Sequence, residues 1–254
     1  GKAFVAQLKQ PQFRILQSIF EENETNGFDK STTFYDISGW STAHGFGIPF
    51  VKSKTLVAQG KLITEVPAVK VEDFEQSSLA YAFSYADILA PKALFALQSK
   101  GLLPRVAHLP FKTATTKGDI EFSAGSVVIP VAYQSVSVED VHAILKEISA
   151  ETGVQIYALN NGFSVGGIDL GSNNMKVAKK PTVALVSGQN WTTFGEIWDA
   201  LSNTYGIPVV KLNAQTIDRV DLNRYTSIVL TGGQYSKEFA SQLATWVNNG
   251  GTLI

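Results

Sequence analysis

Short apolar runs alternate with amphipathic segments along the last third of the chain, and this alternation constrains the fold more than any other feature. The runs cover residues 182–187, 207–212, 227–231 and 252–254. A short continuous apolar run is typical of a parallel strand that is covered on both faces. Amphipathic segments with the spacing of a helix lie between the first two runs and between the last two, so the predicted order of elements is β-α-β-β-α-β. Right-handed crossovers then predict a largely parallel, Rossmann-like sheet.

The helices of this region carry start and stop signals. Thr193 and Glu196 have the spacing of a capping box, in which a hydroxyl and a carboxylate each satisfy a free backbone amide. Ser236 is placed to cap the second helix, and Gly206 is placed to end the first. Apolar and aromatic side chains recur on one face of the first helix, at Phe194, Ile197, Trp198, Leu201 and Tyr205.

The preceding part of the chain also mixes strands and helices. Strands are predicted at residues 3–8, 104–108, 119–122, 126–131 and 154–159. Helices are predicted to begin at Pro11, Pro91 and Ser137, and Gly153 is predicted to end the last of them. In the first helix, Phe13, Leu16, Ile19 and Phe20 are expected to face inward.

These patterns predict an α/β fold made of two mixed α/β subdomains. The first covers residues 1–165, and the second covers residues 182–254. Residues 166–181 are polar and are followed by further strand signals, so we interpret them as a linker.

Composition narrows the classes of function. The net charge is −1 and no lysine or arginine run occurs, so nucleic acid is not an expected partner. No apolar stretch approaches the roughly 20 residues that cross a bilayer, so no membrane-spanning segment is expected. The chain has 0 cysteines, which excludes disulfides and thiolate ligands within it. Gly1 in place of an initiator methionine indicates a cleaved tag, so any signal peptide is expected to lie outside this sequence.

The sequence contains no recognisable metal-binding motif and no complete nucleophile motif. The histidines, His44, His108 and His142, are scattered, and none has a carboxylate or second histidine at short ligand spacing as in a helix-borne His-Glu-x-x-His site. Phe163–Gly166 resembles part of a nucleophile elbow, but the glycine two residues before Ser164 is missing. We therefore predict no catalytic residue and no metal ligand in this chain.

Two turns are the candidate ligand-binding positions. Each lies between the carboxyl end of a predicted strand and the start of a helix, where backbone amides and the helix dipole favour anions. Ligands of open α/β sheets collect at that edge. Neither turn matches a dinucleotide-binding or P-loop pattern, and an ordinary connecting role is the alternative. The candidates are Gly188, Gln189, Asn190 and Trp191 in the first turn and Gly232, Gly233, Gln234 and Tyr235 in the second.

Aromatic residues also concentrate in residues 34–40, with Phe46 and Phe50 nearby. Such residues can present a stacking surface for a sugar or a peptide, but aromatic side chains more often fill a core. The core interpretation is favoured. Asp36 and Asp87 are candidate carboxylates in this part of the chain, for which an ordinary hydrogen-bonded role is favoured.

Whole phrases of the chain resemble one family. The phrases are residues 10–14, 34–40, 44–47 and 167–172, followed by 180–188, 195–198, 221–225 and 230–233. They resemble the region that follows the catalytic domain in large bacterial carboxypeptidase A-type zinc peptidases. The resemblance covers nearly the full chain.

The resemblance implies a fold and a role. It implies that residues 182–254 form a truncated class I glutamine amidotransferase-like domain, of flavodoxin-like type, whose nucleophile elbow would follow a strand such as 251–254. It implies zinc only in an upstream peptidase domain, since the family's His-x-x-Glu ligand pair has no counterpart here. The expected role is a non-catalytic accessory region of an exported protein, in the periplasm or secreted. Its expected partners are its own upstream peptidase domain and a peptide or glycan.

Two alternatives remain open. One is an amidotransferase or hydrolase whose elbow lies beyond Ile254. The other is a small-molecule binding module that uses the turns at 188–191 and 232–235.

Overall fold

The computed structural model describes residues 3–20, 42–55, 60–65 and 70–254. The chain forms two compact units, Gly1–Pro67 and Ala68–Ile254. The larger unit contains an antiparallel sheet and a parallel sheet with their helices, so the protein belongs to the mixed α/β class.

The described part of the smaller unit contains helices α1 (Phe13–Ile19) and α2 (Thr42–Gly45). Helix α1 confirms the helix predicted after Pro11. Of the expected inward face, Leu16, Ile19 and Phe20 are partly buried, whereas Phe13 is 44% exposed. Residues 3–8 are not a strand, and Phe4 is 80% exposed there. An alternating pattern becomes a strand only when its backbone pairs with a partner, and the described residues offer none to this segment.

Strands β1 to β8 form the antiparallel sheet. They are β1 (Ala80–Phe83), β2 (Arg105–Ala107), β3 (Phe111–Thr115), β4 (Gly118–Phe122), β5 (Val127–Pro130), β6 (Tyr157–Leu159), β7 (Gly166–Gly167) and β8 (Met175–Val177). Their order is β4-β3-β6-β1-β5-β2-β8, and β7 pairs with β3. The central strand β1 places Tyr81 between Ile129 and Ala158 on its neighbours.

Helices α3 (Ala90–Ser99) and α4 (Val138–Thr152) cover one face of this sheet. Ser137 caps α4 by accepting the amide of Asp140, and Gly153 ends it at φ 73°. Glycine adopts this left-handed backbone conformation at little cost, which is why the helix ends at the predicted residue. The two helices pack on alternate strand residues such as Tyr81 and Ile129. Ile168 and Leu170, from the loop after β7, pack on the other face.

The stretch interpreted as a linker contains two strands of this sheet. Strand β7 pairs with β3, and β8 pairs with β2 through Arg105, Val106 and Ala107. Met175, the first residue of β8, is buried in the core on one face of the sheet. The division into 1–165, 166–181 and 182–254 stays a prediction, but residues 166–177 pack with the first sheet.

The parallel sheet follows the predicted order of elements. They are β9 (Val183–Ser187), α5 (Trp191–Trp198), β10 (Val209–Asn213), β11 (Ser227–Leu230), α6 (Lys237–Asn248) and β12 (Thr252–Leu253). Its strand order is β10-β9-β11-β12, and each neighbouring pair is parallel. One wide π turn, Asp199–Thr204, continues α5, and 3-10 turns occur at Ile217–Arg219 and Leu222–Arg224. A further 3-10 turn, Val131–Tyr133, follows β5.

Both faces of the parallel sheet are covered, as its continuous apolar strands predict. Val183 and Leu185 pack with the face of α5, including Phe194, Ile197 and Trp198. The alternate residues of β9, Ala184 and Val186, pack toward α6 with Phe239, Leu243 and Trp246 in the same cluster.

The start of α5 differs from the prediction. Asn190 caps the helix, because its Oδ1 accepts the amide of Thr193 at 3.1 Å. Thr193 is therefore inside the helix, and the predicted capping box is wrong. Asn190 and Thr193 both have short polar side chains that can cap a helix. The path of the chain out of β9 decides which of the two lies at the start of the helix.

Among the helices that the structure describes, none is long and apolar enough to span a membrane.

Candidate functional site

The two candidate turns meet at one edge of the parallel sheet. They follow β9 and β11, which are neighbours and run in the same direction. From β9 the chain goes on to β10 on one side, and from β11 it goes on to β12 on the other. Such a reversal of direction is where open α/β sheets place ligands.

Backbone hydrogen bonds join the turns directly. The amides of Gln189 and Asn190 both donate to the carbonyl oxygen of Gly232, at 2.9 and 3.2 Å. The amide of Gly188 donates to Thr231 Oγ1 at 2.8 Å. These three amides of the first turn are therefore occupied by the second turn and are not free to bind an anion.

Glycine is required at two positions by the closeness of the turns. A Cβ at Gly188 would lie 2.5 Å from the carbonyl oxygen of Gly232. A Cβ at Gly233 would lie 2.8 Å from the amide nitrogen of Gln189. The obstructing atoms are backbone, so a side chain at either position would push the turns apart. We call this arrangement, residues 188–190 against 231–233, the loop clasp.

Thr231 ties the loop clasp to the sheet. It is 2% exposed, and its hydroxyl donates to the carbonyl oxygen of Val186 at 3.0 Å while it accepts the amide of Gly188. Its own carbonyl oxygen accepts the phenol of Tyr235. Burial raises the pKa of Tyr235 above its usual value near 10, and the hydrogen bond to Thr231 acts in the opposite direction. The phenol is therefore protonated at neutral pH and keeps this bond.

The side chains that face solvent around the loop clasp are polar or aromatic. Gln189 and Gln234 are exposed, and Trp191 is 69% exposed. The indole of Trp191 packs edge-on against Phe194, with ring centroids 6.0 Å apart, and a large part of its surface is open. An open aromatic face of this kind can stack on an apolar or sugar ring.

The structure thus brings all eight predicted ligand-binding residues to one edge. That they bind a ligand stays a prediction. Sequence analysis missed Thr231, the buried residue that organises them. The available signal was a hydroxyl residue directly after an apolar strand, since a buried hydroxyl must find partners.

Other candidate residues have structural roles or lie elsewhere. Asp87 accepts the amide of Leu89 at 2.9 Å ahead of α3, an ordinary hydrogen-bonded role. Ser164 lies in the loop between β6 and β7, where its hydroxyl donates to Ile168. Phe46 is exposed, and Phe50 packs against Phe20 with ring centroids 5.1 Å apart. Residues 34–40, with Asp36, lie outside the described residues.

The histidines outside α2 do not form a zinc site. His108 is exposed after β2, and Nδ1 of His142 on α4 lies 3.2 Å from the phenol oxygen of Tyr81. Within the described ranges, no three His, Asp or Glu side chains are grouped to hold a metal ion. The side chains in the part of the chain that the structure describes therefore do not fit zinc.

Comparisons with protein-family models, with curated proteins and with solved structures gave no match to this chain. The family resemblance and the role that it implies therefore stay predictions.

Proposed function

We propose that this chain is a non-catalytic accessory region of an exported zinc carboxypeptidase-like protein. In that protein an upstream domain would hold the zinc and hydrolyse C-terminal peptide bonds. The observation that carries the proposal is the loop clasp, which occupies three amides of the first turn at the edge where a sheet of this kind usually holds its ligand.

The topology of the parallel sheet supports the family resemblance. Numbered along the region, the strand order β10-β9-β11-β12 is 2-1-3-4. This is the order in which flavodoxin-like sheets begin, and the amidotransferase-like domain expected from the resemblance is of that type. A fold is shared by many functions, so this agreement supports the domain type and not an activity.

The loop clasp supports an accessory role for the region. A catalytic or anion-binding turn presents free amides to its ligand. Here the amides of Gly188, Gln189 and Asn190 are bound by the opposite turn. An edge whose two turns are hydrogen-bonded to each other suits a domain that braces another one.

The first experiment tests catalysis. The purified chain is incubated with peptides that differ in their C-terminal residue, with added Zn²⁺ and separately with EDTA, and products are measured by mass spectrometry. We expect no release of C-terminal residues above the buffer control, while an active zinc carboxypeptidase in parallel releases them. Release by the purified chain that EDTA abolishes would overturn the proposal.

A second candidate function is a binding module for peptide or glycan, and Trp191 favours it. The exposed indole stands beside the exposed amide side chains of Gln189 and Gln234, a combination that suits sugar or peptide groups. Titration of oligosaccharides and peptides with tryptophan fluorescence tests it. Saturable quenching that Trp191→Ala removes would support this function.

The amidotransferase or hydrolase alternative is favoured by the position of β12. Ile254 pairs with Ile228 and Leu230 through backbone hydrogen bonds of 3.0 and 2.8 Å. In a longer chain, the next residues would therefore emerge at the edge that carries the loop clasp. A Cys or Ser elbow there, with a later His and an acid, would favour this alternative over the accessory role.

A further inference from the structure

A groove with a volume of about 580 Å³ lies beside β10, and no residue of the loop clasp is in its lining. Its lining includes Thr182, which precedes β9, and Tyr225, which precedes β11, whereas the loop clasp follows both strands. The groove therefore belongs to a different part of the parallel sheet. Its size is within the roughly 300–1,000 Å³ of pockets that bind small molecules.

Two arginines line the groove, Arg219 and Arg224. Both are exposed, and neither forms an ion pair with any side chain that the structure describes. Asp221 is the carboxylate of the lining, and its Oδ1 accepts both the amide and the side-chain Nδ2 of Asn223, each at 3.1 Å. The lining thus carries more positive than negative charge.

The arginines are held by an anchored segment of backbone. Each is the last residue of a 3-10 turn, Ile217–Arg219 and Leu222–Arg224. Ile217 and Leu222 begin these turns and are buried in the cluster below α6. A backbone fixed in this way reduces the ordering that binding would require.

The floor of the groove is apolar. Val210 and Leu212 are two residues apart on β10, so both side chains point to the same face of the sheet. Val220 and Tyr225 complete this surface. Strand β10 is at an edge of the sheet, which leaves Val210 partly open to solvent.

We propose that the groove binds a small organic anion, a carboxylate or phosphate attached to an apolar body. A planar guanidinium forms paired hydrogen bonds with either group, and the valine and leucine floor would cover the apolar part. This goes beyond the proposed function and does not depend on it, because the groove does not include the loop clasp.

The test is calorimetric titration of the full chain with benzoate and with phenyl phosphate, at low salt. Benzamide serves as the neutral control, and inorganic phosphate serves as an anion without an apolar body. We expect at least one aromatic anion to bind more tightly than both controls. The ranking of the two aromatic anions then distinguishes a carboxylate ligand from a phosphate ligand.

Variants connect the binding to the groove. Arg219→Ala and Arg224→Ala are each expected to weaken binding by about tenfold or more, since each removes charge-assisted hydrogen bonds. Arg14→Ala on α1 is the matched control, because it makes the same change of charge outside the lining and is expected to leave binding unchanged. Thermal unfolding verifies that each variant is folded.

Three outcomes would overturn the proposal. The first is the absence of saturable binding of either aromatic anion at millimolar concentration. The second is equal binding of inorganic phosphate, because the apolar floor would then contribute nothing. The third is equal weakening by Arg14→Ala and by the groove variants, which would indicate a general charge effect.

Discussion

The hydroxyl of Thr231 accepts the amide of Gly188 at 2.8 Å and donates to the carbonyl oxygen of Val186 at 3.0 Å. The buried side chain of Thr231, directly after β11, therefore contacts β9 at Val186 and also the turn that follows β9, at Gly188. The hydrogen bond to Gly188 involves a side chain, whereas the hydrogen bonds of Gln189 and Asn190 to Gly232 join backbone atoms of the two turns.

Thr231→Val is expected to destabilise the protein by about 1–3 kcal/mol, since it leaves the partly buried amide of Gly188 without this acceptor and removes one of two donors to the carbonyl oxygen of Val186. Thr231→Ser keeps the hydroxyl and is expected to lose less. Thr252→Val is the control, because Thr252 is exposed on β12. Urea unfolding measures all three, and equal stability of Thr231→Val and wild type would contradict the role assigned to this hydroxyl.

Gly188→Ala is expected to destabilise the protein by about 1–3 kcal/mol, because its Cβ would meet backbone of the opposite turn. Gly233→Ala is expected to act in the same direction. Gly195→Ala provides the opposite control: no atom lies within 4 Å of its Cβ, and it is inside α5. There alanine is expected to stabilise the helix by roughly 0.5–1 kcal/mol. Differential scanning calorimetry distinguishes the expected loss of stability in Gly188→Ala and Gly233→Ala from the expected gain in Gly195→Ala.

A pH dependence is expected from the contact between Tyr81 and His142. Tyr81 Oη accepts the amide of Ser77 at 2.7 Å and lies 3.2 Å from Nδ1 of His142. A neutral imidazole with its proton on Nε2 would accept the phenol proton at this Nδ1. Burial lowers the pKa of His142, the positive charge of Lys146 lowers it further, and Asp73 acts in the opposite direction.

The sign of the effect follows from this lowered pKa. The unfolded chain binds the proton more readily, so the contribution of His142 to stability is fully present above the unfolded pKa near 6.5. It is lost as the pH falls through the lower pKa of the folded protein. Urea unfolding across this range should show a decline in stability that is smaller in His142→Phe. An identical decline in the variant would contradict the prediction.

Two tryptophans are expected to respond differently to truncation. Trp246 is 5% exposed within the cluster below α6, and Trp246→Ala is expected to cost about 3–5 kcal/mol. Trp191→Ala at the open edge is expected to change stability by no more than about 0.5 kcal/mol. A large loss of stability in Trp191→Ala would show that this indole is part of the fold rather than an open surface.

The elements of residues 182–254 could be predicted because their signals are local. The apolar run at 182–187 became β9, and Ser236 caps α6 by accepting the amide of Phe239 at 3.0 Å. The same holds for α4, whose start at Ser137 and stop at Gly153 were both predicted. A helix cap and an apolar run act within a few residues, so the sequence contains them in full.

Four strands of the first sheet, β1, β3, β7 and β8, were not predicted, and their pairing partners include strands distant in the sequence. Strand β1 is the centre of the first sheet, yet its four residues give too short a pattern to recognise. Strands β7 and β8 lie in a stretch that has the composition of a linker, and they exist because β3 and β2 offer them a partner. Residues 3–8 show the converse, a strand-like pattern without a described partner.

The sequence by itself determined the α/β class, the order of elements in the parallel sheet and the two turns that follow β9 and β11. Tertiary structure decided what those turns do to each other. Their contact joins residues more than forty positions apart, such as Gly188 and Thr231. Hydrogen bonds and close approaches over that separation depend on strand order and register, which arise only when the whole sheet has formed.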